Sequence, residues 1–334
     1  MRLALLCLVA LVLSVGLAVS VGAVAIPFAT VWAIAADHLR PGLVVPWWRQ
    51  GQEAIVWEIR FPRVLLAGLV GAGLASVGAA LQAVTRNPLA DPHLMGISSG
   101  GAFGAILALM HTGMVLGLLT VPVFAFAGAL GATFLVLAVA KATRATSAER
   151  LVLAGVAVSF VIMASANMLI FLGDPRATQT VVFWMLGGLG LAQWSHLVWP
   201  LTVLAPCLIW LCLQSSALNA MALGDETAAT LGLNPGRFRL AVFVAAAMIT
   251  GVMVAFSGLI GFVGLMVPHL VRLVVGGDNA RVLPYSAVVG ALALIWADTG
   301  ARLILAPQDL PVGVLTGLVG GLFFLGLMAR RQPG

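Results

Sequence analysis

Ten stretches of this chain are apolar over a length that crosses, or nearly crosses, a lipid bilayer. No other feature restricts the fold as tightly. They run at about Leu3–Ile26, Val64–Val84, Leu94–Met110, Val115–Ala140, Leu151–Leu172, Leu197–Leu213, Leu240–Ser257, Phe262–Val275, Tyr285–Leu305 and Val312–Ala329. A helix needs roughly 20 apolar residues to span the hydrocarbon core. Charged residues make up only 8% of the chain and apolar ones 62%, whereas a soluble domain is about one quarter charged. With so few charges a water-soluble surface would be largely an apolar patch. The expected fold is therefore all-α: a polytopic bundle of about ten transmembrane helices, forming one domain over residues 1–334. The first stretch begins like a secretory signal, and Ala23-Val24-Ala25 looks like a cleavage site. Its apolar run exceeds the roughly 7–15 residues of a signal core, so it is read as a retained helix. The eighth stretch is short and flanked by glycine and proline, which points to a tilted or partly buried element.

The formal charge of +6 would hint at nucleic acid in a soluble protein. Here the basic residues stand singly between apolar runs, so they report orientation instead. A cytoplasmic N-terminus puts Arg2, Arg86, Lys141, Arg144, Arg150, Arg237, Arg239, Arg272, Arg281, Arg330 and Arg331 inside. It leaves Arg40, Arg49, Arg60, Arg63, Arg176 and Arg302 outside. That imbalance follows the positive-inside tendency and places both termini in the cytoplasm, as expected of an inner-membrane protein. Cys7, Cys207 and Cys212 all fall in apolar runs and are read as packing residues.

Three connections stand out. Thr85–Gly96 carries Pro88 and Pro92, which break helices. Ser215–Arg239 is the longest inside loop and reads as two short helices broken at Gly224, with Asp225 and Glu226 opening the second, where the helix dipole favours them. Gly258–Arg272 has glycines and Pro268 that argue for irregular backbone at membrane depth, which survives only under a cover of protein or beside a water-filled cavity. Small residues recur four apart at Ala67, Gly71, Ala75 and Ala79, and again at Gly313, Gly317 and Gly321. Such faces let helices approach closely where lipid supplies no hydrophobic drive.

The chemistry is sparse. The only lysine, Lys141, follows no GxxxxGK[ST] phosphate loop, so the chain does not carry that ATP site. Asp298 is the one acid within a span, and Arg302 one turn later supplies an ion-pair partner. His93 and His269 each follow a proline at a helix boundary, where capping or packing accounts for them, and no histidine spacing fits a metal. The residues thus describe a conduit without an engine. A partner-driven permease, an ion-coupled secondary carrier and a membrane enzyme are the three classes to weigh, the last being weakest for want of clustered acids.

Arg60-Phe-Pro-Arg63, Gly78-Ala-Ala-Leu-Gln82 and Arg86-Asn-Pro-Leu-Ala90 with Pro92 and Gly96 resemble the opening signature of the FecCD-type permeases. These are the membrane subunits of type II ABC importers for iron-siderophores, haem and cobalamin. The likeness continues through Leu153-Ala-Gly155, Phe183-Trp184 with Gly187, Ala222-Leu-Gly224 with Leu231-Gly232, and Gly261-Phe-Val-Gly-Leu-Met-Val-Pro-His-Leu-Val-Arg272. It closes with Ala297-Asp298, Ala301-Arg302 and Pro311-Val-Gly313. The resemblance implies a homodimer with two cytoplasmic ATPase subunits and a periplasmic substrate-binding protein. ATP is then used by the partner, and the permease holds no permanent cofactor. It also implies that Met221, Leu223, Gly224, Asp225, Glu226, Ala228, Leu231 and Gly232 couple to the ATPase, and that Arg60, Arg63 and Arg302 form an outer rim meeting acidic residues of the binding protein. On this footing the fifth helix lines the pathway with Ser159, Met163, Asn167 and Met168, beside Gly313 and Gly317 of the tenth. Haem is favoured slightly over a ferric siderophore, with cobalamin third. Two positions depart from the family pattern: Asp309-Leu310 stands where a glutamate is frequent, and Gly320-Gly321 where a proline is common.

Overall fold

The computed structural model describes residues 2–143 and 148–329. Arg144, Arg330 and Arg331 of the inside set lie outside the described residues. In chain order the helices are α1 (Arg2–Ser20), α2 (Phe28–Leu39), α3 (Gln50–Thr85), α4 (Ile97–Thr112), α5 (Gly117–Ala142), α6 (Ala148–Leu172) and α7 (Pro175–Met185). They continue as α8 (Trp194–Leu213), α9 (Ser215–Leu223), α10 (Asp225–Thr230), α11 (Pro235–Ser257), α12 (Val263–Val275), α13 (Asn279–Ile304) and α14 (Val312–Ala329). Among the described residues seven helices are long and apolar enough to cross a bilayer, and α1, α4 and α12 are shorter apolar helices that match the first, third and eighth stretches of the sequence. The fold is the expected all-helical membrane bundle.

α3 and α11 lie at the centre, with most of their apolar residues buried, whereas α6, α8 and α14 are largely exposed on the flank. Glycines set the central packing. Gly71 of α3 and Gly290 of α13 each face the other's carbonyl, and Gly78 of α3 faces the carbonyl of Gly264 in α12. A β-carbon at any of these positions would collide with backbone, so the helices cross at a separation only glycine permits. The stripe Ala67, Gly71, Ala75 and Ala79 is thereby explained as internal packing: all four are buried.

Several boundaries move. The first span ends at Ser20, not Ile26, because the chain turns at Gly22, which abuts the Arg60 guanidinium. Pro268 does not break the backbone, as the sequence had implied, but sits inside α12. Proline lacks the N–H that would bond the carbonyl four residues earlier, and here that carbonyl, of Gly264, accepts instead from Gln82 Nε2 of α3 at 3.3 Å. Gln82 also accepts from Arg272 Nη1, and Arg272 Nη2 donates to the Ala79 carbonyl at 3.3 Å. The irregular stretch is therefore confined to residues 258–262, with Gly258 and Phe262 at positive φ. It is covered, as membrane-depth coil must be. Gly188 N donates to the Ser257 carbonyl at 2.8 Å, and Gly187, Gly258 and Gly313 all press on neighbouring carbonyls there.

α2 and α7 lie outside the ten apolar stretches. Each is too short to span. The signal for α7 was nonetheless present: Asp174 caps it by accepting from Arg176 N, and Pro175 occupies the first turn, the favoured place for proline.

Candidate coupling handle and translocation wall

At the end of the bundle where α3 finishes and α13 begins, α9 and α10 form a projection. It breaks at Gly224, whose φ of 130° belongs to glycine, and Asp225 and Glu226 open α10. The projection is fastened to three spans. Arg239 of α11 donates to both Asp225 carboxylate oxygens at 2.7 and 2.9 Å, while its Nε donates to the Val84 carbonyl of α3 at 3.3 Å. Asn219 Nδ2 donates to Asp278 at 2.8 Å, and Asn219 Oδ1 accepts from Asn279 N and Nδ2 at 2.9 and 2.8 Å. Asn219's amide, then the Ala280 N–H, hold the Asp278 carboxyl below its ordinary value. Met221 and Ala228 are fully buried and seat the projection, and Gly224 is buried as well. Leu223, Glu226, Leu231 and Gly232 point outward, Leu223 being 74% and Leu231 67% exposed. The sequence-predicted coupling residues thus divide into anchors and an exposed apolar tip.

At the opposite end, the three arginines expected to form an exposed rim are all buried, and that part of the sequence reading is corrected. Arg63 donates through Nε to both oxygens of Asp298 at 3.0 and 3.1 Å and also pairs with Asp309. Arg302 pairs with Asp298 at 3.2 Å and donates to the Ala18 carbonyl at 3.1 Å. Arg60 donates to the carbonyls of Val19, Ser20 and Val24 at 2.8, 3.1 and 2.6 Å. The physical reason is satisfaction of buried groups. The last carbonyls of α1 lack helical partners, and a carboxylate as fully buried as that of Asp298 is costly unless it is paired. The ion pair foreseen between Asp298 and Arg302 is present, with Arg63 as a second partner. Asp309 replaces the glutamate frequent in the family and reaches Arg63.

The predicted pathway residues fall on two flanks. Ser159 turns back to donate to the Gly155 carbonyl at 2.7 Å. Met163 packs against a buried cluster of Ala102, Ile106, Ala166 and Val181 that Trp184 of α7 and Leu259 also cover. Gly313 of α14 abuts the carbonyls of Leu186, at the end of α7, and Leu259. Farther along, Asn167 and Met168 are exposed on α6, and nothing faces Gly317 within 4 Å. An apolar cleft of about 200 Å3 lies among α12, α13 and α14, lined by Phe262, Met266, Ala297, Leu315 and Thr316. His93 and His269 behave as expected of structural histidines: His93 Nε2 bonds the Ile260 carbonyl at 3.1 Å and His269 lies edge-on to Phe323. The Gln82–Arg272 bridge was missed. Its signal was Pro268 itself, whose missing donor demands a polar side chain on the facing helix.

A bundle of long apolar helices with a fastened projection at one end is the architecture of a polytopic membrane protein. The chain belongs to the FecCD transport family, whose profile matches residues 7–330. It is 41% identical over 285 residues to the vitamin B12 import system permease protein BtuC of Salmonella arizonae, covering 85% of each chain. It is 40% identical over 292 residues to the hemin transport system permease protein HmuU of Yersinia pestis, covering 85% of this chain and 87% of that one. Among solved structures, an inward-facing metal-chelate type ABC transporter superposes with a TM-score of 0.84 at 29% identity, covering 98% of this chain and 99% of that one.

Proposed function

We propose that this chain is the membrane subunit of an ATP-driven importer of a metal chelate, working as a pair of identical subunits with two ATPase subunits at the α9–α10 end and a binding protein at the other. The observation that carries the reading is the projection. Two exposed leucines crown an element tied by charge and amide contacts to α3, α11 and α13, while the sequence carries no phosphate loop of its own. An element so fastened passes a push to the spans instead of absorbing it. The cytoplasmic side is then the α9–α10 end, in line with the arginine imbalance.

The exposed Asn167 supports a protein- or water-facing role for that flank of α6, since an amide facing hydrocarbon is costly. Together with the open Gly317 it supports a reading in which α6 and α14 face a second copy. Its side chains are neutral and soft, which suits release of a bulky ligand, because a conduit must bind weakly enough to let go. A flat, largely apolar macrocycle fits such a wall, so haem leads over a ferric siderophore, with cobalamin third. Arg60, Arg63 and Arg302 enter this reading as the ties that shape the outer face on which the binding protein sits.

Leu223→Asp with Leu231→Asp is expected to lower ligand-stimulated ATP hydrolysis in reconstituted vesicles by at least about tenfold, since each leucine side chain buried at a contact contributes roughly 1.5–3 kcal/mol. Comparing haem, a ferric siderophore and cobalamin with their binding proteins assigns the cargo. Uphill transport by the isolated chain, with no ATPase present, would overturn the reading.

A further inference from the structure

The connection from α1 to α3 carries a surface that transport does not explain. α2 packs against α1 and the start of α3, which puts it at the edge of the bundle. α1 itself turns Leu5, Leu6, Leu8, Val12 and Leu13 outward. Beyond α2 the chain projects through residues 39–49, where Leu39 is 81%, Val45 86% and Trp47 63% exposed, with Leu43 also exposed. Arg40 and Arg49 flank this apolar run, both exposed, and neither forms an ion pair among the described residues.

The nearby acids Asp37 and Glu53 are already engaged. Asp37 Oδ1 accepts from Gly42 N at 3.0 Å. Glu53 accepts from Trp48 Nε1 at 3.1 Å and bonds His38 Nε2 at 2.9 Å. His38 stacks on Trp57 with ring centres 4.3 Å apart, so the base of the projection is braced while its tip stays bare. Two unengaged guanidinium groups on either side of bulky apolar side chains complement one surface found at the edge of a membrane bundle: an anionic phosphate layer over hydrocarbon. Tryptophan favours that depth, guanidinium forks match phosphate oxygens, and apolar residues gain by entering the acyl boundary.

We propose that residues 39–49 are an interfacial anchor, with Leu43, Val45 and Trp47 set below the headgroups of the adjacent leaflet and Arg40 and Arg49 on phosphates of anionic phospholipid. The proposal rests on the membrane fold alone, so its failure leaves the transport reading standing. The test places the full-length protein in nanodiscs containing phosphatidylglycerol. The fluorescence difference between wild type and Trp47→Phe should be quenched by phospholipid brominated high on the acyl chain and shielded from aqueous iodide. Arg40→Gln and Arg49→Gln should each cut phosphatidylglycerol retention in native mass spectrometry roughly fivefold, the effect of one basic residue near an anionic surface. A Trp47 signal open to iodide and untouched by bromine, as a loop reserved for a soluble partner would give, overturns the anchor. Unchanged phosphatidylglycerol retention overturns the role of the arginines.

Discussion

Asp298→Ala is expected to lower the stability of the folded chain by about 3–5 kcal/mol, the cost of removing one member of a buried ion pair. Asp298 is fully buried between Arg63 and Arg302, and its loss leaves the Arg302 guanidinium enclosed without a carboxylate and Arg63 with only the half-exposed Asp309. Asp309 offers the control. It too pairs with Arg63, but its side chain is 51% exposed, so water and ions screen the contact and Asp309→Ala should cost no more than about 1 kcal/mol. Unfolding of the two variants in mixed detergent micelles compares them directly. Equal losses would show that burial is not what gives the Asp298 pair its weight.

Gly78→Ala is expected to destabilise by about 3 kcal/mol or more, at the upper end of overpacking costs. The new methyl meets the Gly264 carbonyl and its neighbouring backbone, none of which can rotate aside. The loss should appear even though alanine is intrinsically the better helix former by about 1 kcal/mol. Gly317→Ala adds the same methyl to a helix where nothing lies within 4 Å. The single subunit should therefore keep or slightly raise its stability, and any penalty should show in the association of two copies. Measuring thermal unfolding alongside the dimer fraction separates the two effects. An unharmed Gly78→Ala protein would mean that α3 and α12 do not cross as closely as the backbone indicates.

The spans were legible because lipid forces a one-dimensional signal, a run of apolar residues as long as the bilayer is thick. The break at Gly224 was legible for a similar local reason: glycine followed by two acids states both the end of one helix and the start of the next. The arginines were misjudged because a count of charges reports which end a residue occupies and nothing about depth. Arg60, Arg63 and Arg302 share the end of the bundle opposite α9 and α10, where carbonyls of α1 and the Asp298 carboxylate turn them inward. α2 and α7 were passed over because a short helix at the end of a bundle needs neither spanning length nor a continuous apolar run. Gln82 illustrates a third limit: its meaning depends on Pro268, more than 180 residues later, and only the crossing of α3 with α12 brings them together.

The glycine crossings of α3 with α12 and α13 imply a division of freedom within the molecule. Helices whose main chains touch have no side-chain cushion to deform, so these three slide past one another only by separating altogether. They behave as a keel. α14 is seated differently: side chains mediate its contact with α12, Phe262 against Gly320 and His269 against Phe323, and an apolar cleft lies beside them. Side chains can shift where main chains cannot, so substitutions along the keel should erase the protein before they alter its rate.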